Sequence, residues 1–222
     1  MAAMGRIAAL AAALLFAGAA SAADEATYLY GAVGVTRTDP GVDQAAADAS
    51  LKALGAPDVS SKLDRWDSGW KIMVGWMPSR NVALEGGFAV LGTATYDAQL
   101  TGGAAKSEFR AGGVVFDALG LLPVSDSLSL FAKVGGIAAS VVTTQTVSPP
   151  GQNTNPGPSG TTTSTTTTNA RMLRPNFGAG AMLDLTRNIS LRLEVERFSN
   201  VGNETTGVSN IDMISLGLLL RL

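Results

Sequence analysis

The chain has 222 residues and a formal net charge of −2, and it contains neither cysteine nor histidine. That length allows one domain or two small ones. Without cysteine there is no disulfide framework and no thiolate metal site; without histidine the commonest general base and metal ligand are missing, and with them Ser-His-Asp chemistry of the usual kind. The near balance of charge gives no basic footprint for nucleic acid.

The first 22 residues form a targeting segment. Arg6 supplies a positive start, and Ile7–Ala20 is an almost wholly apolar run, at about 14 residues too short to span a bilayer. Ala20-Ser21-Ala22 places small residues before a cleavage point between Ala22 and Ala23, the pattern of a secretory signal peptide. The mature chain, 23–222, then carries 15 basic residues (16 less Arg6) and 18 acidic ones, a net charge of −3. No later stretch approaches the roughly 18 uninterrupted apolar residues of a membrane helix.

The mature chain alternates between short strand patterns and polar stretches. Tyr28–Val35 is a first strand, with Leu29, Val33 and Val35 on the side assigned to lipid. Asp39–Arg65 is polar and irregular, and within it the alanine-rich Asp43–Leu54 can form about three helical turns ended by Gly55 and Pro57. Trp66–Met77 is a second strand whose Trp66, Trp70, Ile72, Val74 and Trp76 share one parity. At about 3.3 Å per residue and a tilt near 40°, Trp66 and Trp76 stand roughly 25 Å apart along a barrel axis, the spacing of two aromatic girdles. After the turn Pro78–Asn81, a third strand sets Val82, Leu84, Gly86, Phe88 and Val90 against Ala83, Glu85, Gly87 and Ala89. Thr95–Lys106 reads as a loop and Ser107–Leu122 as a fourth strand, with Val114 and Phe116 opposite Val115 and Asp117.

Pro123–Ser127 is a second tight turn. The fifth strand alternates Leu128, Leu130, Ala132 and Val134 with Ser129, Phe131, Lys133, Gly135 and Ile137. Thr143–Ala170, rich in threonine and proline, reads as a disordered loop, because it has too little apolar surface to offset its ordering entropy. Arg174–Leu185 is a sixth strand, and Thr186–Asn188 turns into a seventh. There Ile189, Leu191, Leu193 and Val195 fall on one face and Ser190, Arg192, Glu194 and Glu196 on the other. Asn200–Asn210 reads as a loop and Ile211–Leu222 as the last strand. Eight amphipathic strands, with short turns after the even-numbered ones and long loops after the odd-numbered ones, predict an all-β, eight-stranded antiparallel up-and-down transmembrane barrel with short periplasmic turns and long extracellular loops.

Three segments together, Trp66–Gly92 with its lead-in, Leu122–Gly136 and Asn210–Leu222, resemble the OmpA-like outer-membrane β-barrel family, over nearly all of the mature chain. The resemblance implies an outer-membrane location in a Gram-negative bacterium and a last strand read by the barrel-insertion machinery. It also implies salt bridges inside the barrel. No peptidoglycan-binding domain is expected.

The inward parity gathers Glu85, Lys133, Arg192, Glu194 and Glu196 as a lumenal charge network. Such groups must satisfy one another, because an unpaired buried charge is costly. The network serves either as a structural plug or as a gate through which small solutes or ions leak. Glu194 and Glu196, about 7 Å apart on one strand face, form a carboxylate pair, but Arg192 beside them favours the ionised form of both, so no catalysis is expected. Arg197, on the lipid parity at the outer end of its strand, is either a solvated rim charge or a contact for lipopolysaccharide phosphate. Gly86-Gly87 and Gly135-Gly136 fit close strand packing rather than a nucleotide fingerprint.

The expected function is structural or at the cell surface. The alternatives are a narrow gated pore and a surface adhesin or receptor acting through the long loops; a lipid A-modifying barrel enzyme fits least, since such enzymes rely on histidine. No cofactor or metal is expected. The expected partners are outer-membrane lipid and lipopolysaccharide, and the expected state is a monomer.

Overall fold

A computed structural model describes residues 27–39, 41, 43–53, 58–64, 66–100, 103–148, 164–203 and 207–222. The proposed signal segment, its Ala22–Ala23 cleavage point, and Leu54, Gly55 and Pro57 lie outside these. The elements are β1 (Tyr28–Asp39), α1 (Gln44–Ala53), β2 (Val59–Asp64), β3 (Asp67–Ser79), β4 (Val82–Leu100), β5 (Gly103–Pro123), β6 (Leu128–Ser148), β7 (Ser164–Asp184), β8 (Ile189–Asn203) and β9 (Gly207–Arg221).

Eight of the strands close a ring in which every neighbour is antiparallel, running β1, β3, β4, β5, β6, β7, β8, β9 and back to β1. The closing seam pairs β1 with β9 from Tyr30↔Arg221 to Asp39↔Asp212. The ninth strand, β2, lies outside the ring and adds to the far half of β4, from Asp64↔Thr95 to Val59↔Leu100. It occupies part of the stretch expected to be irregular. The helix expected there forms as α1, capped where the Asp43 carboxylate accepts from the backbone N–H groups of Ala45 and Ala46.

Side-chain alternation sets the two faces of the wall. Leu29, Val33, Val35, Trp70, Ile72, Val74, Leu84, Phe88, Leu193, Val195, Leu216 and Leu218 all point outward and are exposed. Trp66 and Trp76 are 51% and 44% exposed, with Trp66 just ahead of β3. The opposite parity fills the interior. Toward the tight turns it packs Met77, Leu119, Phe131, Met182 and Leu219, and toward the other end Leu91, Val115, Ile137, Phe198, Ile211 and Met213. Two glycines make room for large neighbours: Tyr30 lays its ring over Gly75, its cross-strand partner, and Gly178 faces the side chains of Lys133 and Glu196. A β-carbon at Gly75 would collide with the Tyr30 ring, and one at Gly178 with the Val195 carbonyl and the Glu196 side chain.

Three stretches expected to be loops contain paired strand among the described residues. Thr95–Leu100 and Gly103–Lys106 are the paired continuations of β4 and β5, up to Leu100↔Gly103. Within Thr143–Ala170, residues 143–148 and 164–170 are paired strand, Thr143↔Thr168 to Val147↔Ser164; residues 149–163 lie outside the described residues. Within Asn200–Asn210, β8 and β9 remain paired to Asn203↔Gly207. The physical reason is common to all three. The outward face of β4 changes from Leu84 and Phe88 to Thr93, Thr95, Asp97 and Gln99, so the apolar half of the alternation disappears although the backbone stays extended. The asymmetry between the two ends therefore lies chiefly in strand length. Tight turns close one end, and β2, β4, β5, β6 and β7 continue as a five-stranded sheet at the other.

Leu216 is level with Val35 and Trp70 across the closing seam, near the middle of the wall. Leu216→Arg is expected to lower unfolding stability by about 2–4 kcal/mol, read as a lower urea midpoint for the compact band in unheated gels. Gln99→Arg on the projecting sheet should stay within about 0.5 kcal/mol.

Candidate functional site: the lumenal charge network

The strongest concentration of chemistry in the described residues lies inside the ring. Arg192, Glu194 and Glu196 enter from β8 at successive inward positions, Glu85 from β4 and Lys133 from β6. All five residues inferred from the sequence meet in one layer. Arg192 donates both terminal nitrogens to Glu85, one of them at 3.1 Å, and its Nε to Glu194 at 2.7 Å. Lys133 reaches Glu194 at 2.6 Å and also contacts Glu196. The layer is buried: Lys133 and Glu194 are each 1% exposed.

Two ions that the sequence reading left out complete it. Lys71 of β3 bridges Glu194 and Glu196, with 2.6 Å to Glu196. Asp117 of β5 accepts from Lys133 at 3.0 Å and from Asn176 Nδ2 of β7 at 2.7 Å. Tyr30 of β1 donates its hydroxyl to Glu85 at 2.6 Å, and the Arg192 guanidinium stacks over the Phe131 ring at 4.5 Å. Lys71 and Asp117 both occupy inward parity beside clearly outward residues, Trp70 and Ile72 in one case and Phe116 in the other. Parity alone would have found them.

Each carboxylate in the layer touches at least one cation, and Glu194 touches three. The three cations and four carboxylates alternate in space, so the arrangement is a locked electrostatic lattice. Glu194 and Glu196 are held by shared lysines rather than left facing an open cleft.

Arg197 is not a lone rim charge. It pairs with Asp212, its register partner on β9, and its side chain is 24% exposed. Sequence separation hid this, since the pair forms only once β8 and β9 lie side by side. At the end closed by tight turns, Arg221 contacts Asp184 at 2.6 Å and stacks on Tyr28 at 5.4 Å, bordering a pocket of about 590 Å³. On the projecting sheet, Tyr96 donates to Asp48 of α1 at 2.5 Å. Hydrogen bonds from Ser61 and Tyr96 hold that carboxyl below its usual range.

The model of the OmpA-like transmembrane domain matches residues 22–222. The chain belongs to this family. The OmpA-like barrel therefore lies in the bacterial outer membrane. No curated protein sequence matches the chain. Among solved structures it is similar to Ail, the attachment invasion locus protein of Yersinia pestis, at 12% identity over 90% of this chain and 100% of that one, with a TM-score of 0.50. It is also similar to OprG of Pseudomonas aeruginosa (10% identity, 89% and 97% covered, TM-score 0.49) and to Neisserial surface protein A (11%, 89% and 100%, 0.44). At these identities the likeness to Ail is one of fold.

Lys133→Met leaves Asp117, Glu194 and Glu196 short of a cation, and should cost the OmpA-like barrel about 3–5 kcal/mol. The double variant Lys133→Met, Glu196→Gln should recover part of that loss. Equilibrium urea unfolding in detergent micelles, followed by tryptophan fluorescence, measures both.

Proposed function

We propose that this protein is a structural barrel of the outer membrane, plugged by its own charge network and passing no solute. One observation carries the reading: an ion-paired layer crosses the lumen and is packed between apolar layers on both sides. Opening a path through it means separating several buried ion pairs at once, each of which is costly to break singly. The same pairing supports a non-enzymatic role, because Glu194 and Glu196 are both engaged by lysines. The last strand, β9, is the natural contact for the insertion machinery, and the unbroken outward apolar band fits a monomer surrounded by lipid.

A second reading adds a surface role. The projecting five-stranded sheet is larger than a barrel needs for closure, and it presents α1, β2 and the polar outer face of β4–β7 to the exterior. Lipopolysaccharide and macromolecules at the cell surface are the partners within its reach.

Proteoliposomes carrying the purified protein should show no swelling in small sugars and no steady conductance in planar bilayers. Uptake that disappears in Arg192→Glu would replace the plug with a gated pore. For the surface role, joining β6 to β7 just above Thr143 and Thr168 should leave heat-modifiable gel migration intact while reducing cell or phage attachment several-fold. Unchanged attachment removes that role.

A further inference from the structure

From Ser164 to Pro175, β7 pairs with β6 on one side, whereas its pairing with β8 begins only at Asn176. The side facing β8 is thus a free strand edge among the described residues. Its base is closed by side chains: Arg174 donates to the carbonyl of Gly202 at 3.0 Å, and Met172 receives the Gly202 N–H. Above Arg171 the edge runs Ser-Thr-Thr-Thr-Thr-Asn-Ala, residues 164–170, with neither a charge nor a proline.

Such an edge is a hazard. Exposed edges are normally protected by lysine, proline or a bulge, because unpaired N–H and C=O groups template pairing with another chain. A β-branched, uncharged run of this length is also the composition that stacks into cross-β assemblies. None of the usual protections is present in 164–170. What the segment offers instead is hydroxyl groups. Thr165, Thr166 and Thr167 are exposed. Successive residues point to opposite faces of the sheet, so both faces carry a hydroxyl. Thr165 Oγ1 stands 3.4 Å from Thr146 Oγ1, and the flanking sequence is rich in threonine, serine and proline, the composition of O-glycosylated stalks.

We propose that Thr165–Thr167 is an O-glycosylation site, where neutral sugars on threonine cover the free edge of β7. In the step required, threonine Oγ1 attacks the anomeric carbon of a sugar activated as a polyprenyl diphosphate. The Oγ1–carbon bond forms and the bond from that carbon to the diphosphate oxygen breaks. The diphosphate leaves with the electron pair, the hydroxyl proton passes to a base on the transferase, and nothing is oxidised or reduced. A strand with one open edge suits such an enzyme, which can hold the acceptor as an extended chain.

The test uses full-length protein taken from the outer membrane of its own cells. Trypsin cleaves after Lys133 and Arg171, with no basic residue between them, and releases peptide 134–171 intact. Its mass should exceed that of the bare sequence by whole hexose or N-acetylhexosamine increments, and electron-transfer fragmentation should place them on Thr165–Thr167. In T165V/T166V/T167V, which keeps the β-branched shape and should keep heat-modifiable migration, the increments should vanish. A bare peptide from native membranes overturns the proposal, as do increments that persist in the triple variant.

Discussion

Everything in this molecule depends on pairing backbone amides where no water can reach them. In hydrocarbon each unsatisfied N–H or C=O costs several kcal/mol, so a sheet can cross a bilayer only if it has no edge. The seam between the first and last ring strands, β1 and β9, removes the edge: it runs unbroken from Tyr30↔Arg221 to Asp39↔Asp212. Once the ring closes, alternation along each strand has only two destinations, lipid and lumen. The outward apolar band and the inward polar groups are two consequences of that single constraint.

The lumen turns the constraint into specificity. Members of the polar network come from β1, β3, β4, β5, β6, β7 and β8, so its hydrogen bonds and ion pairs join seven of the eight ring strands. A one-residue slip between neighbouring strands would turn a charge outward into lipid. The network therefore acts as a register lock as well as a plug. Gly178 leaves space beside Lys133 and Glu196, and Gly75 does the same for the Tyr30 ring that reaches Glu85. Small residues on one strand thus position charges carried by others.

Beyond the membrane the constraint lapses. Water satisfies exposed amides, so strands can continue without closing, and four of the ring strands do, with β2 added at one side and β7 left open at the other. Here the outward face is polar: Thr95, Asp97, Lys106, Glu108, Thr144 and Thr165 replace leucine, valine and tryptophan. The barrel interior and the projecting sheet are built from the same strands under different solvents.

Much of this was legible in the residues. The parity of Trp70, Ile72, Val74 and Trp76 and of Ile189 to Val195 fixed the transmembrane segments and their faces, because hydrocarbon demands an apolar side chain at every second position. The three tight turns were legible for a similar reason: prolines and small polar residues interrupt the alternation there. Strand length outside the membrane was not, because in water the outward face need not be apolar and the period-2 signal fades while the backbone stays extended. Nor could the sequence choose partners. Parity says that Glu85 and Arg192 both face inward, but 107 residues separate them, and only the closed ring brings β4 opposite β8. The same holds for Arg197 and Asp212, and for Lys71 between Glu194 and Glu196. Alternation along one strand is a local property of the chain, whereas contact across a lumen depends on the register of every strand in between.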